Sequence, residues 1–243
     1  KKTFGYTRNI KRMNHNRKII YLAGFIFSIS IALMSYINSS FISSFVDEKL
    51  VGTIYALGSI VSVLMLLIVP QIFRKVGGYK FLISVIGLET LSILLLAFSK
   101  NAWSVILAFV FSYTLNILIF FSLDEFLKIF SKNSSTGKIR GSYLTLCNLA
   151  WIISQLALGT TLGGFSFKVI YLISFAVMLL FFLISYLYLR DLPDPKYDKI
   201  GTKKCLGEFF KNKNLFRAYS ISFLLQFFYC WMVIYTPIYL FAH

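Results

Sequence analysis

The stretch Phe73-Arg74-Lys75-Val76-Gly77-Gly78-Tyr79-Lys80 is a short basic turn between two long apolar runs, residues 51–72 and 81–99. Each run is close to the roughly 20 residues that a helix needs to cross a bilayer core. Helices joined by so short a turn are antiparallel neighbours. Arg74, Lys75 and Lys80 place the turn on the cytoplasmic side, because Lys and Arg are retained there. Gly77 and Gly78 supply the backbone freedom that a tight turn requires. With this turn inside, every other loop acquires a side.

Working outward, further apolar runs lie at about residues 19–41, 104–122, 141–162, 167–189 and 218–241. The loops alternate. Basic segments precede span one, join spans two and three, four and five, and six and seven; the others are nearly neutral. All seven spans agree on one orientation, with the N-terminus cytoplasmic and His243 outside. The predicted fold class is all-α, a polytopic membrane helical bundle of seven spans. The first run is too long for the apolar region of a cleavable signal peptide.

Composition agrees. Of 243 residues, 58% are hydrophobic and 18% aromatic, which suits spans rather than a soluble core. The net charge of +16 invites a nucleic-acid reading. The cations sit between spans in alternate loops, so orientation and anionic headgroups account for them; the expected partner is the lipid bilayer and not nucleic acid. Cys147, Cys205 and Cys230 show neither paired nor metal spacing. There is no phosphate-binding loop and no H-E-x-x-H, and His15 and His243 lie outside the spans. No catalytic residue, metal or cofactor is therefore expected, and the chain does not read as an enzyme.

Two glycine pairs form a weak internal repeat. Val76-Gly77-Gly78-Tyr79-Lys80 between spans two and three is echoed by Leu162-Gly163-Gly164-Phe165 between spans five and six. A three-span unit repeated with inverted topology would put one pair inside and the other outside.

The pattern resembles the major facilitator superfamily of secondary transporters. That family has two six-span halves joined by a long cytoplasmic loop, and a first-loop motif G-x-L-a-D-R-x-G-R-R/K. Residues 70–79 occupy the motif, with Gly77 at its glycine, Lys75 at its Arg and Ile72 at its Leu. Pro70, Arg74 and Gly78 depart from it, and span four lacks the family's arginine. The resemblance divides the chain into a basic cytoplasmic tail (1–18), a six-helix N-terminal bundle (19–189), a cytoplasmic linker (190–217) and the first helix of a C-terminal bundle (218–243). It implies that spans eight to twelve are missing and that residues 1–243 alone do not transport. It implies alternating access for a small-molecule substrate, with or without a coupling ion, in a cell membrane, and a bacterial inner membrane is the expected one. It also implies a cytoplasmic gate of Arg74, Lys75, Gly77 and Asp124, in which the Asp124 carboxylate meets Arg74 or Lys75.

The spans carry few polar groups. Span one aligns Gly24, Ser28, Ala32, Ser35 and Ser39; span five aligns Thr145, Asn148, Gln155 and Gly159; span seven carries Ser222, Gln226, Tyr229 and Thr236; span four has Ser112, Tyr113 and Asn116. Small residues also serve helix packing. The candidates for a substrate cavity are Ser35, Asn116, Asn148, Gln155, Gln226 and Tyr229, and the resemblance favours spans one, four and seven as its lining. Glu89 is the one acid in mid-span. Ionised in hydrocarbon it costs several kcal/mol, so it is either neutral or partnered. Two roles stay open: proton coupling, or a protonated carboxyl bonded to a Ser or Thr of a neighbouring helix. Substrate identity is not legible. A seven-span receptor or a membrane scaffold are the rival readings; the retinal form of the first lacks a Lys in span seven.

Overall fold

The computed structural model describes residues 2–129, 136–162, 164–190, 207 and 209–242, with side chains from residue 16 onward except at 161–162 and 240–242. The described chain is helical, with no strand. The long helices are α1 (Lys2–Ser43), α2 (Glu48–Val76), α3 (Gly78–Phe98), α4 (Ala102–Ile129), α5 (Thr136–Ala157, continued by a π-helical turn Leu158–Leu162), α6 (Phe167–Tyr188) and α7 (Lys213–Ala242). Among the described residues, seven helices are long and apolar enough to cross a membrane, the makeup of a multi-pass membrane bundle. Helices are what a lipid interior requires, because each backbone N–H and C=O must be satisfied within its own segment.

The helices outrun the apolar segments at their ends. The basic tail continues α1 back to Lys2 as helix, although the apolar run begins only at about residue 19. Once a long span is nucleated, each added residue gains a hydrogen bond at little further cost. The linker residues 191–206 and 208, the loop 130–135, Gly163, Cys205 and His243 lie outside the described residues. Of the linker, Phe209 and Phe210 are described, and their rings pack on Phe216 of α7, with Phe209 also on Tyr219.

α1 is the hub. It packs against α4, α5, α6 and α7, while α3 packs on α4 and α6, and α2 on α4. Phe27 of α1 is fully buried and stacks on Phe181 of α6 at 5.1 Å, with Phe120 of α4 edge-on at 4.9 Å. Such ring pairs add about 0.5–1.5 kcal/mol beyond their buried area. Hydroxyls stitch the same helices. Tyr21 donates to the Ile139 carbonyl (2.8 Å), and Ser30 to that of Ser174 (3.0 Å). Gly24 has no side chain because the Tyr143 ring of α5 occupies the space a Cβ would need. α7 touches α1 and the edge of α2, and most of its side chains are exposed.

The α2–α3 turn is as tight as its sequence requires. Gly77 takes φ 89° and ψ 146°, the single positive φ among the described residues. Its N–H closes α2 on the Phe73 carbonyl (2.9 Å), and its carbonyl opens α3 by accepting from Phe81 (3.1 Å). One residue thus ends one helix and begins the next. Gly77→Ala is expected to lower the stability of the detergent-solubilised protein by about 1–3 kcal/mol, the usual cost of forcing a Cβ into such a conformation. Gly141→Ala in α5, where a Cβ meets open space, is the control and should be neutral or slightly stabilising. Thermal unfolding of the two variants checks this.

Candidate binding cavity

A cavity of about 270 Å³ lies among α1, α2, α4, α5 and α7. α1 supplies Ile31, Met34, Ser35 and Asn38; α4 supplies residues from Phe109 to Phe120, including Ser112, Tyr113 and Asn116; α7 supplies Gln226, Tyr229 and Cys230. Tyr55 of α2 and Trp151 of α5 complete the wall. The α4 residues fall in the middle of that helix, whereas Tyr55 lies near the start of α2, so the cavity reaches from mid-span toward the α1–α2 end.

The lining carries no charged side chain. It is aromatic, through Tyr55, Phe109, Tyr113, Phe120, Trp151 and Tyr229, with amides and hydroxyls between the rings. Apolar walls with a few placed polar groups are the usual makeup of a small-molecule site. Several polar groups are held from behind. Tyr171 of α6, fully buried, donates to Asn38 Oδ1 at 2.7 Å. Asn116 Nδ2 donates to Glu89 Oε1 at 2.9 Å, and the Ser112 hydroxyl donates to the same oxygen at 2.7 Å. Gln155 Nε2 donates to the Tyr36 hydroxyl, and Trp151 stands edge-on between Tyr36 and Tyr229, at 6.2 and 6.1 Å between centroids.

Of the residues expected from sequence, Ser35, Asn116, Gln226 and Tyr229 line the cavity. Gln155 does not; it is exposed and acts through Tyr36. Asn148 is exposed and outside the cavity. The reason is the rotation of α5. Its buried face is Ile139, Tyr143, Cys147, Ala150 and Ser154, which turns the polar stripe of Thr145, Asn148 and Gln155 outward. Glu89 is fully buried one layer behind the cavity, bonded to two of its wall residues. Asn38, Tyr55 and Trp151 escaped the sequence reading. The signal for Asn38 was present, since Ile31, Met34, Ser35 and Asn38 fall at i, i+3, i+4 and i+7, one helical face.

The expected contact of Asp124 with Arg74 or Lys75 is replaced. Asp124 pairs with Arg140 of α5 at 3.0 Å and with Lys128 at 3.6 Å, and Lys128 also meets Glu125. Lys128 stands one helical turn away, and Arg140 returns in the first turns of α5. Both reach Asp124 without help from the α2–α3 turn. These groups are partly exposed, so the pairs contribute about 1 kcal/mol or less.

Comparison of the sequence with protein-family models, and with curated proteins, returns no match.

The Tyr171–Asn38 bond gives a direct check on the wall. Tyr171→Phe removes a buried donor and leaves Asn38 Oδ1 without its partner. A loss of about 1–2 kcal/mol in unfolding stability is expected, since the cost includes a stranded acceptor. Asn38→Leu alone should cost at least as much, because it strands the fully buried Tyr171 hydroxyl, and adding Tyr171→Phe to it should recover part of the loss; thermal melts of both single variants and the double variant give the coupling.

Proposed function

We propose that the protein is a secondary transporter of the major facilitator type, moving a small solute by alternating access. The observation that carries this is the cavity. It is walled chiefly by α1, α4 and α7, the spans that the family resemblance names, and it places amides and hydroxyls in the middle of apolar membrane helices. In hydrocarbon such groups are costly, and those of α1 and α4 are braced from the outer helices rather than removed. The motif turn at residues 70–79 supports the same reading, with Gly77 in the backbone conformation that a glycine serves.

The substrate is a small solute with hydrogen-bonding groups on an apolar or aromatic frame. No fixed charge in the lining would neutralise an anion or a cation. The basic end of the bundle, at the α2–α3 turn, faces the cytoplasm, and the membrane is a cell membrane. The gate there works through helix ends, with Gly77 as pivot and Asp124 tied to Arg140 rather than to Arg74 or Lys75.

Two measurements test this. With single cysteines at Lys49 and Lys75, an impermeant thiol reagent applied to intact cells should reach position 49 and not 75; the reverse contradicts the orientation. Trp151 reports on the cavity once Trp103 and Trp231 are changed to Phe. Titration with uncharged hexoses, nucleosides and aromatic amides should give a saturable change in its fluorescence for one of these classes, lost in Gln226→Leu. The absence of a saturable change across all three contradicts a binding cavity of this chemistry.

A further inference from the structure

Glu89 poses a problem that the cavity alone does not solve. The side chain is fully buried in α3, and its Oε1 accepts from Ser112 and Asn116. Its Oε2 is buried without a donor, and so is Asn116 Oδ1, on the amide that already bonds Glu89. No ion pair to Glu89 exists among the described residues. α3 packs on α2, α4 and α6, whose titratable groups away from the helix ends are Tyr55, Tyr113 and Tyr171. None of them bonds to Glu89. Tyr171 donates to Asn38, Tyr113 accepts from Ser59 at 3.5 Å, and the Tyr55 hydroxyl has no partner. Nearest the helix ends, Lys168 of α6 sits over the Phe98 ring.

An ionised carboxylate with one bare oxygen and no cation is strongly disfavoured in hydrocarbon. One proton removes both deficits. A carboxylic acid has an O–H to donate, and an amide oxygen is its natural acceptor. We propose that Glu89 is a proton-binding site joined to the cavity: its carboxyl is a neutral acid whose hydroxyl donates to Asn116 Oδ1, closing an acid–amide pair. Ser112 and Asn116 are at once partners of Glu89 and wall of the cavity, so a guest that bonds either of them competes with the carboxyl. Displacing the pair opens Oε2 to water in the cavity, which accepts the proton and solvates the carboxylate that remains, with Ser112 still donating to Oε1. The proton site stands on the buried geometry alone; its link to a guest rests on the transport reading.

Infrared difference spectroscopy of the full chain in lipid at neutral pH decides the first part. Glu89→Gln keeps the shape and supplies an N–H where the acid has its O–H, so the fold should survive. Wild type minus Glu89→Gln should show a protonated-carboxyl C=O band that shifts in D2O, and Asn116→Ala should move that band to higher frequency. Loss of carboxylate bands instead would overturn the proposal. For the second part, Cys147 and Cys205 are changed to Ala, and Cys230, which also lines the cavity, is modified with methyl methanethiosulfonate, followed by mass spectrometry. Complete modification should shift the Glu89 band. An unmoved band, or a Cys230 that does not react, overturns the link to the cavity. The transport reading fails separately, through the Trp151 titration.

Discussion

In hydrocarbon a polar group has no water to fall back on, and this constraint organises the whole bundle. Backbone groups meet it by forming helices. Some side chains meet it by crossing to a neighbour, as Tyr21 does to α5, Ser30 to α6, Ser154 to the Ile29 carbonyl and Ser62 to Thr114, and others by bonding a carbonyl one turn back in their own helix, as Ser35 and Thr90 do. Each bond that crosses is modest, on average about 0.6 kcal/mol in membranes. Their distribution matters more than their sum. α1 takes part in most of them, and of the helices that it gathers α4, α5 and α7 enclose the cavity while α6 holds Asn38 from behind.

The number of spans and their order were legible because length and hydropathy are nearly sufficient for a membrane helix. The Gly77 turn was legible for a sharper reason, since a short connection between two long helices needs a residue free of Cβ strain. The ends were not. The basic residues before Ile19 mark where the apolar span stops, but nothing in them marks that its helix continues, because the hydrogen-bond ladder does not need apolar side chains. The ion pairs at Asp124 were also hidden. Charges near a helix end take whichever cation the tertiary fold brings closest, and Arg140 approaches only after α5 has docked.

The site was legible where a polar residue interrupts an otherwise apolar face that turns inward. That holds for Ser35 on α1, Asn116 on α4, and Gln226 and Tyr229 on α7. It failed on α5, where the amide-bearing stripe of Thr145, Asn148 and Gln155 faces away from the bundle. The small face of Ala150 and Ser154 packs inward and carries Asn148 out. Periodicity alone does not rank a small face above an amide face; the close approach to α1 does. Glu89 stood out as an anomaly in sequence, and the partner weighed for it, a Ser or Thr hydroxyl of a neighbouring helix, is present as Ser112. A further partner that the sequence did not suggest, Asn116, joins it to the cavity wall, and only the pairing of α3 with α4 reveals that.

Transport requires the cavity to be an aqueous path into the bundle rather than a packing defect. A dry void of this size would leave Asn38, Asn116 and Gln226 with nothing to recognise. Cysteines placed singly at Ser35, Asn116 and Gln226, and at the exposed apolar positions Leu64, Leu95 and Leu183, separate the two cases in membranes. A charged, water-soluble thiol reagent should modify the first three and spare the last three. Equal protection of all six positions would contradict a solvent-filled binding cavity and, with it, the transport reading.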